Sequence, residues 1–198
     1  MDFTAKDVAD LRTRTGVGMM DCKKALAEAN GDTEKAIEIL REKGLAAAAK
    51  KAGRIAAEGM AYSEVCAKCK KGVVVEVNCE TDFAAKSEPF KALVAKIANV
   101  ILTQKPASVE DLLTKDCDGQ PLETYLKDKI YTIGENISIR RFVVMDGHLM
   151  SYVHGGGRIG VLVKFDTTDA IAATDKFVEA AKDIAMHIAA MNPLFLSA

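Results

Sequence analysis

The sequence predicts an α+β protein: a small N-terminal helical unit, a helical connector, and a core of two related ββα units with antiparallel sheets. Three observations predict it. Caps and glycine breaks punctuate the first 44 residues at helical spacing. From residue 60 onward, short runs alternate apolar and polar positions with period two. One strand-and-helix unit also occurs twice: Gly72-Val73-Val74-Val75-Glu76-Val77 matches Gly160-Val161-Leu162-Val163-Lys164-Phe165, and each is followed by a Thr-Asp pair, Thr81-Asp82 and Thr168-Asp169.

In residues 1–44, Thr4 is placed to cap a helix carrying Val8 and Leu11, and Gly16-Val17-Gly18 breaks it. Asp21 to Ala29 forms a second helix closed by Asn30-Gly31. Asp32 caps a third, with Ala36, Ile37 and Leu40 inward and Gly44 as its stop. So few large apolar side chains make a small core, which suits recognition of a partner better than a deep catalytic cleft. Residues 45–59 are alanine-rich, with Lys50, Lys51 and Arg54 grouped together, and read as a helical connector.

The first core unit spans 60–132 and the second 133–198. In the first, a strand from Ala61 to Val65 turns through Cys66 to Lys71 into the strand Gly72 to Val77, and Ser87 caps the helix that follows. In the second, Ile137 to Val144, an Asp146-Gly147 turn, Leu149 to His154, a Gly155-Gly156-Gly157 turn and Gly160 to Phe165 read as three meandering strands. Thr174 caps their helix. The spacing from Phe90 to Pro106 equals that from Phe177 to Pro193, which aligns Ile97 with Ile184, Ala98 with Ala185 and Ile101 with Ile188. Alternation places Val73, Val75 and Val77 on one face and Val74, Glu76 and Asn78 on the other, as in a sheet covered on one side by the repeat helices. Between the copies, Ala107 to Ile130 reads as two short helices.

The composition narrows the function classes. Basic and acidic residues number 27 and 28, so the chain lacks the overall field that draws a protein onto DNA or an acidic membrane. No apolar run is long enough to span a bilayer, and the N-terminus reads straight into a helix without a signal or transit pattern. A cytoplasmic protein, or an organellar one already processed, is expected. The five cysteines show no secreted-protein framework and are expected as reduced thiols. Cys66 and Cys69 have the spacing of half a zinc site without a second pair, so a hairpin turn is the better reading and no metal is assigned. Phosphate-loop, dinucleotide and zinc-protease motifs are all missing, and Cys79 has no histidine placed beside it. No enzyme activity, cofactor or nucleotide site is expected. His187, between Ala185 and Ile188, reads as a packed structural histidine.

Two segments carry the functional signal. Met19-Met20 follows a glycine break at a helix start, where adaptable side chains suit a partner surface, with Arg12 and Lys23 around them. Core filling and a solvated helix face are the alternatives. At Glu80-Thr81-Asp82-Phe83 a strand ends in a polar turn with an aromatic ring. If the ring were structural, Asp82 would cap and Phe83 would staple the next helix. The second copy keeps Thr168-Asp169 but has Ala170 where the first has Phe83, so the fold itself does not call for the ring, and Phe83 reads as an interface anchor.

The run Leu11-Arg12-Thr13-Arg14-Thr15-Gly16-Val17-Gly18-Met19-Met20-Asp21-Cys22-Lys23-Lys24-Ala25-Leu26 is followed by Asn78-Cys79-Glu80-Thr81-Asp82-Phe83, by Ile133-Gly134-Glu135-Asn136-Ile137 and by Ser151-Tyr152-Val153-His154-Gly155. In that order these motifs closely resemble the translation elongation factor Ts family along nearly the whole chain. The resemblance implies a ubiquitin-associated-like (UBA-like) fold for the N-terminal unit, two pseudo-symmetric core subdomains, and guanine-nucleotide exchange on elongation factor Tu. It also implies roles for particular residues. Arg12, Met19, Met20 and Lys23 would meet the partner's G domain, as would Ile133, Gly134 and Asn136. Asp82 and Phe83 would reach toward its magnesium and nucleotide sites, with the ring wedged into an apolar pocket. His154 and Gly155 would meet its third domain. GDP itself would be touched by none of them, and neither DNA nor a membrane is an expected partner.

The chain departs from the family in two places. Ala84 stands where the family often has valine. Longer members continue into a coiled-coil hairpin and a C-terminal segment, so the resemblance implies that 133–198 is an incomplete subdomain. A ribosome- or RNA-associated module using Lys50, Lys51 and Arg54 is the competing expectation.

Overall fold

The computed structural model describes residues 3–66 and 70–195. In chain order its elements are α1 (Ala5–Thr15), α2 (Met19–Glu28), α3 (Thr33–Lys51), β1 (Glu58–Cys66), β2 (Lys71–Cys79), α4 (Asp82–Lys86), α5 (Glu88–Gln104), α6 (Val109–Thr114), β3 (Asp116–Cys117), β4 (Gln120–Pro121), α7 (Leu122–Ile133), β5 (Ser138–Asp146), β6 (His148–His154), β7 (Ile159–Phe165), α8 (Asp169–Ala172) and α9 (Asp175–Met191). Helices and antiparallel sheets are segregated along the chain, which makes the class α+β. The chain divides into two compact units, Met1–Ile55 with Glu123–Asn136, and Ala56–Leu122 with Ile137–Ala198.

In the first unit the caps act where the sequence puts them. The Thr4 hydroxyl accepts from the Asp7 N–H while the Asp7 carboxylate accepts from the Thr4 N–H, which closes a capping box on α1. Gly16 ends α1 at φ 70°, a left-handed conformation natural to glycine. Asp32 accepts from the Glu34 and Lys35 N–H groups at the head of α3. Val8, Leu11, Val17, Cys22, Ala25, Leu26, Ala36 and Leu40 form the core of this unit, and Tyr131 of α7 packs against it. One expected stop is corrected. Gly44 does not close α3, which runs on to Lys51. Gly44 is buried, and a Cβ built there would lie 3.6 Å from Tyr131, so the glycine is a close-packing position within the helix.

In the second unit β1, β2 and β5 form one antiparallel sheet with β2 in the middle, and β6 and β7 form a separate hairpin. The expected meander is therefore corrected: β5 pairs with β2 and not with β6. Gly147, at φ 125°, carries the chain from one sheet to the other, and its N–H donates to the Lys70 carbonyl at 2.8 Å. The register between β2 and β5 shifts at Glu76/Val77, leaving Arg140 as an extra residue, so that Arg140 and Arg141 both reach Glu76, at 3.5 and 2.7 Å.

The repeat helices cover opposite outer faces. The fully buried Val73, Val75 and Val77 lie under α5, whose Phe90, Leu93, Val94, Ile97 and Ile101 are also fully buried. The other face of this sheet meets the β6–β7 hairpin, where Gly160 passes so close that an added Cβ would stand 3.0 Å from the Ala61 side chain. Beyond the hairpin lies α9, with Ala185 and Ala189 on Val161, Met150, Tyr152 and Val163. The sheets are thus covered by a repeat helix on one side, as expected, and by each other on the second.

Two side-chain expectations are also corrected. His187 is exposed, because α9 turns Ala181, Ala185 and Ala189 inward and carries His187 off that line. Cys22, Cys79 and Cys117 are buried and not in disulfides, but Cys66 is disulfide-bonded, so the thiols are not all reduced. The turn expected between Cys66 and Lys71 falls partly on 67–69, outside the described residues.

Candidate protein-docking site

Met19 and Met20 open α2, just past Gly18, which serves as N-cap without a side-chain hydrogen bond. The inner face of α2 is Cys22, Ala25 and Leu26, so the two methionines fall outside the core and stand 42% and 63% exposed. Arg12 and Lys23 are exposed as well. Elsewhere in the same unit, α7 ends at Ile133. Gly134 follows, exposed and at φ 92° with open space where a Cβ would be. Asn136 is different: its side chain is buried, and its amide donates to the Arg54 carbonyl at 2.8 Å. It ties the segment after α7 back to the chain beyond α3. Of the basic group near there, Lys51 Nζ donates to the Ile130 carbonyl at 3.3 Å and so serves this unit internally.

In the second unit, Phe83 rides on α4, a single short helix immediately after β2. Thr81 is the N-cap, its hydroxyl accepting from the Ala84 N–H at 3.2 Å. Asp82 is not the cap. Its carboxylate accepts from Lys86 Nζ at 2.6 Å, one helical turn away, and that lysine holds its carboxyl below the ordinary aspartate value. Nor does Phe83 staple the helix: Ala84 and Ala85 pack inward, and the ring stands 83% exposed. An aromatic of that size left in water contributes almost nothing to this fold and keeps its full burial energy for a contact elsewhere. Behind it, Cys79 is buried, with its thiol donating to the Thr81 carbonyl at 3.2 Å. That hydrogen bond braces the turn.

His154 ends β6, exposed, and Gly155 follows at φ 62° in the turn to β7. The His154 carbonyl accepts from the Gly157 and Arg158 N–H groups at 3.3 and 3.0 Å, closing a tight hairpin with no helix behind it to bind phosphate. Sequence reasoning missed three supporting residues. The repeat held the signal for Thr81, whose counterpart Thr168 caps α8 in the same way. The four-residue spacing from Asp82 held the signal for Lys86. Tyr152, whose hydroxyl lies 3.0 Å from His154 Nδ1, had only its i, i+2 placement on one strand face.

Among the described residues, no group of three or more His, Cys, Asp or Glu side chains could hold a metal, and no helix is long and apolar enough to cross a membrane. Each unit by itself offers exposed apolar side chains: Met19 and Met20 in the first, and Phe83 beside the Asp82–Lys86 pair in the second. In an α+β protein, exposed apolar groups of this kind have the anatomy of a protein contact.

Comparison with known proteins places it within a family. The family model described as "Elongation factor TS" matches residues 80–198. An Elongation factor Ts from Clostridium perfringens (strain SM101 / Type A) is 52% identical over 98% of this chain and 65% of that protein. The proteins of the same name from Halothermothrix orenii and Trichlorobacter lovleyi are 50% and 46% identical, over 100% and 99% of this chain and 66% and 65% of theirs. The chain belongs to the elongation factor Ts family, and it spans about two thirds of the length of these relatives.

Proposed function

We infer that this chain is a guanine-nucleotide exchange factor that docks on elongation factor Tu in the cytoplasm and promotes GDP release during translation elongation. The observation that carries the reading is Phe83. It projects from a short helix capped by Thr81 and braced by Asp82–Lys86, in a chain whose relatives carry the name elongation factor Ts. The N-terminal helices act as a UBA-like recognition module. Arg12, Met19, Met20 and Lys23 meet the partner's G domain, with Ile133 and Gly134 presented beside Asn136. Asp82 and Phe83 work at the magnesium and nucleotide region, and His154 with Gly155 meets the third domain.

The mechanism is a coupling free energy and involves no bond breaking. Contacts available only when the partner's nucleotide site is distorted lower its affinity for GDP, and GDP must lower the affinity for this chain by the same factor. Phe83 is suited to this because its ring already stands in water, so burying it in a pocket of the distorted partner costs this chain no packing.

The experiment is release of labelled GDP from elongation factor Tu with and without the chain, alongside GDP titration of the chain alone. Release is expected to accelerate, and the isolated chain is expected to bind no nucleotide. An unchanged release rate would overturn the reading, as would saturation of the isolated chain by micromolar GDP.

A further inference from the structure

We propose that Tyr152 is a positioning residue: it fixes His154 as a hydrogen-bond donor, so that the tip of the β6–β7 hairpin recognises an oxygen acceptor on the protein partner. The proposal rests on the reading of His154 as a partner contact.

Residues 152 and 154 project from the same face of β6. The ring of Tyr152 packs on the cluster of Val161, Ala185 and Ala189 under α9, together with Met150, Val163 and Ile188. That packing fixes the direction in which its hydroxyl points. The hydroxyl oxygen lies 3.0 Å from His154 Nδ1, and the two rings are tilted by 38° with centroids 6.0 Å apart. The main chain of His154 is held independently by the turn, through its carbonyl and the Gly157 and Arg158 N–H groups. Backbone and ring of an otherwise exposed residue are thus both anchored, which is unusual for a solvated loop tip.

The hydrogen bond also bears on the chemistry of the ring. A neutral imidazole has one donor and one acceptor nitrogen, and the bond made by one decides the role of the other. A phenol is the better proton donor of this pair, so Nδ1 accepts from the Tyr152 hydroxyl and the proton of the imidazole stays on Nε2. Nε2 lies on the far side of the ring from Nδ1, and among the described residues it carries no hydrogen bond. The tip therefore offers a fixed N–H donor, complementary to a carbonyl or carboxylate oxygen. A free ring would divide its time between two tautomers and many orientations, and would lose binding free energy in selecting one of each.

Two measurements on the full chain test this. Long-range proton–nitrogen correlation on the ¹⁵N-labelled protein, at a pH where His154 is neutral, is expected to show the Nε2–H tautomer. In Tyr152→Phe, which removes only the hydroxyl, it is expected to show a mixture. The same tautomer population in both proteins would overturn the positioning role without reference to any partner. Second, affinity for elongation factor Tu is expected to fall by about threefold to tenfold in Tyr152→Phe, the range for one lost hydrogen bond, with melting temperature unchanged. In a His154→Ala background Tyr152→Phe should then cost nothing more. An equal loss in that background would show that Tyr152 acts through something other than His154, against the proposal. If the tautomer shifts as expected but His154→Ala leaves affinity unchanged, the partner contact itself is wrong and the recognition role falls with it.

Discussion

The two copies of the repeat use the same local devices and expose different things. Thr81 and Thr168 cap α4 and α8 through the same side-chain bond, and Ser87 and Thr174 do likewise for α5 and α9. Yet the first copy sinks its long helix into a core, with Ile97 fully buried, and lifts Phe83 into solvent. The second carries Ala170 at that corner and leaves Ile184, the counterpart of Ile97, 46% exposed. Capping is what the fold needs at this corner; the ring is added to one copy and is not part of its stability. An internal duplicate that folds without a side chain is direct physical support for a role of that side chain outside the fold.

The largest expected difference between the copies is in stability. Ile97→Ala should destabilise the chain by about 2 to 5 kcal/mol, the range for emptying a close-packed site, whereas Ile184→Ala should cost under about 1 kcal/mol. Thermal or urea unfolding of both variants checks this, and equal losses would mean that the helices are not packed as described. Next come the caps. Thr81→Ala and Thr168→Ala should each cost about 1 kcal/mol, and only the first should slow GDP release from elongation factor Tu, because only α4 carries the ring. Comparable slowing in Thr168→Ala would erase the functional distinction between the copies. Smaller still, Ala170→Phe sits at an exposed position and should change stability by no more than about 0.5 kcal/mol, with exchange unaltered. A gain in exchange would show that position in the fold does not matter to the ring.

The smallest effect is one of pH. Asp82 and Asp169 both have carboxyls held below the ordinary value, the first chiefly by Lys86 and the second chiefly by Lys70, with His148 adding to it. A depressed folded value means that each contributes stability above the unfolded aspartate value, near pH 3.9, and loses it as pH falls through the folded value. Asp82→Asn and Asp169→Asn should therefore lower melting temperature slightly at neutral pH and converge with the unaltered protein in acid. Because both groups lie at the surface, the effect should also fade in high salt.

Much of this was legible in the sequence because it is local. Caps at Thr4, Asp32, Ser87 and Thr174, the glycine stop at Gly16 and the alternation of β2 are decided within a few residues by backbone chemistry. The duplication was legible because its spacing is conserved from Phe90 to Pro106 and from Phe177 to Pro193. The pairing of β5 was not. Asp146-Gly147 reads the same whether the chain folds back as a hairpin or crosses between stacked sheets, and what decides between them is the pairing of β5 with β2, far away in sequence. Gly44 looked like a stop because a glycine is costly within a helix; the contact with Tyr131 that explains it comes from 87 residues later. At the candidate site the sequence pointed to Met19, Met20 and Phe83 as surface groups. It did not distinguish Thr81 from Asp82 as the cap, or show that the Asn136 side chain turns inward to Arg54.

The most direct test of the account is Phe83→Ala, with melting temperature and GDP release from elongation factor Tu measured on one preparation. The ring is exposed, so melting should be almost unchanged, with a loss under about 1 kcal/mol. A buried aromatic anchor is worth about 2 to 4 kcal/mol at an interface, so exchange efficiency should fall by roughly 30-fold to 1,000-fold. A well-folded Phe83→Ala variant that exchanges at the normal rate would contradict the account.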